Sequence, residues 1–165
     1  MSLATSILPE FDHEMTTTRR VLAQVPPDRF GWKPHPKSWP MGGLANHISN
    51  LPHWAVITIQ QDSFDVAPPG DAPFRAPEAK TPAELMAQFE RNVAAAREAI
   101  SGAGDALLMK PWTLQSGGQT VFTMPRVAAL RFFVMNHLIH HRGQLSLYFR
   151  LADLPVPAVY GPPGS

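Results

Sequence analysis

The sequence predicts an all-α fold, a four-helix bundle with long crossover connections, and two observations lead there. Four segments carry apolar residues at helical spacing, and most of the 18 prolines gather in the stretches between them. A length of 165 residues suits one domain over 1–165 and leaves little room for a second. With 44% hydrophobic and 16% charged residues, the chain has enough apolar material for a core and does not read as disordered.

The first helix is expected from about Ser6 to Gln24, where Leu8, Phe11, Met15, Thr18, Leu22 and Val25 share one face. Pro9 is tolerable in a first turn, and Pro26-Pro27 end the helix. Asp28 to Pro40 has no helical period and reads as an ordered loop anchored by Trp32 and Trp39. A second helix, from about Met41 to Gln61, carries Leu44, His47, Ile48, Leu51, Ala55 and Thr58 in one stripe. Pro52 removes a backbone donor and crowds the Ile48 carbonyl, which predicts a kink just after His47.

Asp62 to Lys80, with Pro68, Pro69, Pro73 and Pro77, is the second long connector. The third helix opens on Thr81-Pro82-Ala83-Glu84, a cap, a first-turn proline and the acid of a capping box. Leu85, Phe89, Val93, Ala96 and Ile100 form its buried face, and Gly102 is its stop. The segment Lys110 to Thr123, with Gly117-Gly118 between two short apolar stretches, leaves room for a small hairpin. The fourth helix runs from about Met124 to Ala152, and Pro155 prevents it going much further.

Several functions are disfavoured at once. Net charge is +1, and no basic run exceeds Arg19-Arg20, which argues against a nucleic-acid partner. With no cysteine, disulfides, thiolate nucleophiles and cysteine zinc sites are excluded. No apolar run approaches the ~20 residues that span a bilayer, and no signal peptide is visible, so no membrane partner and a cytoplasmic location are expected.

Seven histidines occur, three of them in Asn136-His137-Leu138-Ile139-His140-His141-Arg142. At roughly 100° per residue, His137 and His141 lie one turn apart on one helix face, the spacing that offers two imidazoles to one ion. Leu130, Val134, His137, His141, Leu145 and Tyr148 form a single stripe, so both histidines interrupt an apolar face. His47 does the same between Leu44 and Leu51. A buried polar group left unpaired costs ~1–3 kcal/mol, and a shared metal ion resolves that cost for all three imidazoles. The plainer alternative is a set of hydrogen-bonded core histidines. His140 is about 60° from His137, so the helix alone leaves His140 and His141 both open. His35 and His53 read as structural or surface residues, and nothing in the spacing of His13 requires it at the site.

At these residues the chain resembles the DinB family, the DinB/YfiT-like metal-binding four-helix bundles. The resemblance rests on His35-Pro36-Lys37-Ser38-Trp39, on Leu44 to Ile48, and above all on Asn136 to Leu145, with Arg142-Gly143-Gln144 directly after the last histidine. It continues through Pro155-Val156-Pro157 to Tyr160-Gly161-Pro162. It implies one ligand from the second helix and two from the fourth, hence His47, His137 and His141, and so favours His141 over His140. It also implies a divalent ion, zinc or nickel, and a homodimer.

Relatives in the wider superfamily imply a metal-dependent transferase or isomerase using a low-molecular-weight thiol, which this cysteine-free chain would take from outside. The alternative is a non-enzymatic metal-binding stress-response protein. No catalytic residue is assigned. Glu14 is the nearest candidate base but reads as a solvated carboxylate, and Arg142 reads as a surface ion pair rather than an anion binder. Asn50 and Gln144 are placed to hold ligand imidazoles, or to make ordinary interhelical hydrogen bonds.

Overall fold

A computed structural model describes residues 2–162. The chain is mainly helical, and the expected all-α architecture is corrected by a small three-stranded sheet. Helix α1 spans Leu3–Leu22, earlier than expected, because the Ser2 hydroxyl accepts from the Thr5 N–H at 3.2 Å and caps the helix there. Pro9 therefore lies inside α1 and not in its first turn. A short 3-10 turn at Pro27–Arg29 follows.

Two loop carbonyls then start α2 (Met41–Asn50) in place of a side-chain cap. Trp32 C=O accepts from Met41 N–H and Phe30 C=O from Gly42 N–H, each at 2.8 Å. These bonds fix the connector against the helix. A β-carbon at Gly42 would overlap the Phe30 ring. Gly42→Ala is therefore expected to lower stability by about 1–3 kcal/mol, read from urea denaturation, whereas a cost near zero would mean the ring swings freely aside.

The expected continuous second helix is broken, with α3 running from His53 to Gln60. The break falls at Leu51-Pro52, not directly after His47. Pro52 has no N–H to offer the Ile48 carbonyl, which accepts from Leu51 at 3.2 Å instead. Leu51 and Pro52 both keep right-handed helical dihedrals, so hydrogen bonding is interrupted more than backbone path.

The connector after α3 holds a strand that sequence reading missed, β1 (Ser63–Asp65), which pairs in parallel with β2 (Pro111–Ser116). Helix α4 (Pro82–Gly102) begins as predicted, with Thr81 Oγ1 accepting from Glu84 N–H at 3.2 Å. The reciprocal bond is shifted by one residue, since the Glu84 carboxylate accepts from Lys80 N–H at 2.7 Å. After the short α5 (Asp105–Leu108), β2 and β3 (Gln119–Pro125) form the suspected hairpin. Its turn glycines, Gly117 and Gly118, have φ of 63° and 75°, the left-handed geometry that a two-residue hairpin demands. Asp65 accepts from both their N–H groups, at 3.1 and 2.7 Å, and locks β1 to the turn.

The final helical run begins at Arg126 and not at Met124, which lies in β3. It comprises α6 (Arg126–Ala129), a π-helical stretch (Leu130–Asn136) and α7 (His137–Leu151). Helix α1 packs on α4 and α7, α2 packs on α4 and α7, and α3 packs on α4. Phe11, Met15, Leu44, Ile48, Leu85, Phe89, Leu130, Leu138, Leu145 and Phe149 are buried among these helices. A second cluster, Ile57, Trp112, Leu114 and Ala129 with Trp54 and Phe133 against it, joins the sheet to the helices. Among the described residues, no helix is long and apolar enough to cross a membrane.

Candidate metal centre

His47 projects from α2, and His137 and His141 from successive turns of α7. The structure brings all three together, with one ligand nitrogen from each lying within 4.8 Å of the others. His47 Nε2 and His137 Nε2 are 3.2 Å apart. Two nitrogens bound to one tetrahedral zinc at 2.0–2.1 Å would stand ~3.3 Å apart, so this spacing fits a shared ion. The donor set fits as well, since three neutral imidazoles suit a borderline divalent cation.

The nitrogens facing away from the cluster are held differently. His141 Nδ1–H donates to Gln144 Oε1 at 2.7 Å, which fixes the tautomer and leaves Nε2 to the cluster. The other end of the same amide donates to His140 Nε2 at 3.1 Å. His140 is thereby turned outward, and it is His141 that reaches the cluster. His137 Nδ1 is buried. The Phe133 carbonyl one turn earlier favours its charged form without hydrogen-bonding geometry. The Phe133 ring lies 5.8 Å from that of His137 and packs on Trp54, Trp112 and Phe122. The small sheet thus braces, through Trp112 and Phe122, the Phe133 ring that lies against His137.

Burial keeps these rings neutral. Desolvation, reinforced by the charges of His141 and His137, lowers the His47 pKa from 6.5 to about 4. Desolvation also lowers His137 and His141, against the opposing hydrogen bond from Gln144 in the latter. Lone pairs are therefore available for a metal at neutral pH. In metal-stripped protein, unfolded His47 takes up its proton near pH 6.5 and folded His47 near 4. Stability should be full above pH 6.5, fall as pH drops through that window, and level off below it. Urea midpoints across the window check this, and a His47→Gln variant should show a shallower fall.

Trp39, 51% exposed, stands over the cluster. It stacks on His141 (centroids 6.1 Å, 20°) and meets His47 edge-on at 5.2 Å. Three clefts reach the histidines from different sides. One of about 490 Å³ touches His47, one of about 440 Å³ touches His141, and one of about 370 Å³ touches His137. Among the described residues, no aspartate or glutamate joins the cluster.

Other sequence expectations are corrected. Asn50 does not touch a ligand histidine, since its amide donates to the Asn46 and Pro77 carbonyls, each at 2.9 Å. Asn46, which sequence reading passed over, clamps Ala79 by donating to its carbonyl at 2.9 Å and accepting from its N–H at 2.8 Å. Its position beside His47 was the available signal. Glu14 is buried and not solvated, and Arg142 is buried and not at the surface. They pair at 2.7 Å, and Arg142 also donates to Thr18 Oγ1 at 3.1 Å and to the Tyr160 hydroxyl at 2.6 Å. That hydroxyl donates to Glu14 at 3.0 Å and pins the chain beyond α7. His13, His35 and His53 are exposed and outside the cluster.

Three histidines converging from two helices of a mainly helical chain define a protein that could hold a metal ion. A sequence profile of the DinB superfamily matches residues 10–145, and the chain belongs to that superfamily. It is 27% identical over 158 residues to YrdA, an uncharacterized protein of Bacillus subtilis (strain 168), covering 94% of this chain and 86% of that one. The fold is that of two crystal structures of DinB-like proteins. One, from Bacillus cereus ATCC 10987, has a TM-score of 0.71 at 23% identity, covering 93% of this chain and 95% of the other. The second, YjoA from Bacillus subtilis, has a TM-score of 0.71 at 18% identity, with 94% and 98% covered.

Proposed function

We propose that this protein is a metal-dependent transferase or isomerase that takes a low-molecular-weight thiol at a zinc or nickel ion held by His47, His137 and His141. The observation that carries it is the convergence of three imidazole nitrogens within 4.8 Å beneath open clefts, with no acidic side chain completing the set among the described residues. A three-histidine set leaves room for an outside ligand, as catalytic sites do and closed structural sites do not. A divalent ion bound there supplies Lewis acidity that lowers the pKa of a coordinated thiol.

The chain's own residues do the rest. Gln144 orients His141, Phe133 backs His137, and Trp39 walls the cluster. No cysteine is available from the chain, so the sulfur must come from outside. The packing of α1, α2–α3, α4 and α6–α7 supports a four-helix bundle with long crossovers at 28–40 and 62–80 as the scaffold.

One observation favours a second reading, a metal-binding stress-response protein without catalysis. The one buried carboxylate among the described residues, Glu14, is engaged by Arg142 and Tyr160 and is not free to act as a base. Elemental analysis of freshly purified protein, followed by thiol-transfer assays with and without His137→Ala, separates the two. About one ion per chain and transfer lost with His137 support the enzyme. Metal-loaded protein that transfers no thiol supports the second reading and sinks the first.

A further inference from the structure

Two clefts on either side of Trp39 lead to different histidines, and they are not built alike. The cleft over His47 is walled by Phe30, Trp39, Pro40, Gly43 and Ala79, with the Glu78–Lys80 ion pair at its rim. Its backbone walls are held in place before any ligand arrives. Asn46 clamps Ala79 on one side, and the Phe30 carbonyl bonds to Gly42 on the other. The cleft over His141 is instead walled by Ser38, Leu44, Gln144, Leu147 and Tyr148 beside Trp39, with Leu147 55% exposed.

Gly43 is the telling residue. It lies one turn before His47 on the same face of α2. Its backbone needs no glycine, because it is absent from the residues of positive φ. Its packing asks little of it: a β-carbon there would meet only Pro40, which would have to give by a few tenths of an ångström at Cδ (3.3 Å) and would make ordinary contact at Cγ (3.8 Å). Glycine inside a helix costs up to ~1 kcal/mol relative to alanine, so relief of that one contact is all the fold gains from it. What a larger side chain would take away is the volume of the cleft beside His47. Gly42, its neighbour, differs in being demanded by the Phe30 ring.

We infer that the cleft over His47 is a ligand subsite for a flat, apolar body stacked against Trp39 and joined to a metal-binding donor, and that Gly43 keeps it open. Trp39 divides this subsite from the cleft over His141. The inference rests on the metal reading above and adds to it the shape and polarity of the molecule accepted.

The test uses the full-length protein loaded with Co(II) and titrated with imidazole or 4-phenylimidazole, followed by visible absorption. Burying the extra ring should make 4-phenylimidazole bind at least about 10-fold tighter than imidazole to the wild type. Gly43→Leu should erase that preference with imidazole and Co(II) affinities little changed, and Trp39→Ala should cut it by about fivefold. Leu147→Trp, which fills the other cleft, should leave it intact. Equal binding of the two probes to the wild type, or loss of the preference in Leu147→Trp but not in Gly43→Leu, overturns the assignment. Titration with 2-mercaptoethanol runs alongside. If it leaves the Co(II) spectrum unchanged while 4-phenylimidazole still discriminates, the thiol reading fails and the subsite stands.

Discussion

Glu14→Ala is expected to destabilise the protein by about 3–5 kcal/mol, because it strands a guanidinium in the core. The Arg142 side chain is 1% exposed and that of Glu14 is 8% exposed. Without the carboxylate, Arg142 keeps, among the described residues, only neutral acceptors, namely the residue 14 backbone carbonyl, Thr18 Oγ1 and the Tyr160 hydroxyl. None balances a full charge in a medium that screens poorly. The same reasoning predicts that the pair is not itself a large source of stability. Glu14→Leu with Arg142→Met removes both charges and should recover most of the loss. Urea denaturation of the three proteins checks this. A Glu14→Ala cost below about 1 kcal/mol would show that water reaches Arg142 and that the pair behaves as a surface one.

His137→Ala should weaken metal binding by at least about 100-fold, measured by chelator competition. Residues that merely orient a ligand are worth 10–100-fold, and His137 supplies a donor directly. It is also the ring that His47 Nε2 faces at 3.2 Å, so its loss leaves only His47 and His141 of the three donors. His140→Ala serves as the control. It removes an adjacent imidazole that points outward, and affinity should largely survive. Equal losses in the two variants would mean that the neighbouring histidines exchange roles and that the cluster as described does not bind the ion.

The contrast between these two sites shows what the sequence could disclose. His47, His137 and His141 were legible because helical periodicity converts spacing into direction, and each interrupts an apolar stripe. The choice between His140 and His141 was not legible from periodicity. It depends on Gln144, whose amide bonds one ring at each end. Glu14 and Arg142 were misread for a related reason. A charged residue on the border of a stripe is ordinarily solvated, and only tertiary packing reveals a partner 128 positions away. The strand β1 escaped notice because three residues are too few to show alternation, and its pairing with β2 is long-range. Pro52 was read correctly as a disruption, but its effect stayed local to Leu51 and did not reach His47. Asn46 carried no period at all. Its role exists only because Ala79 folds back onto α2.

The π-helical stretch Leu130–Asn136 gives the last helix a property that a uniform α-helix lacks. Its wider turns absorb the equivalent of an inserted residue, so the sheet-facing portion before it and the histidine-bearing portion after it are phased independently. Both Val134 and Met135 are buried within it, so the buried face is wider there. The helix is in effect a joint between the part that packs on the sheet and the part that carries two of the three histidines.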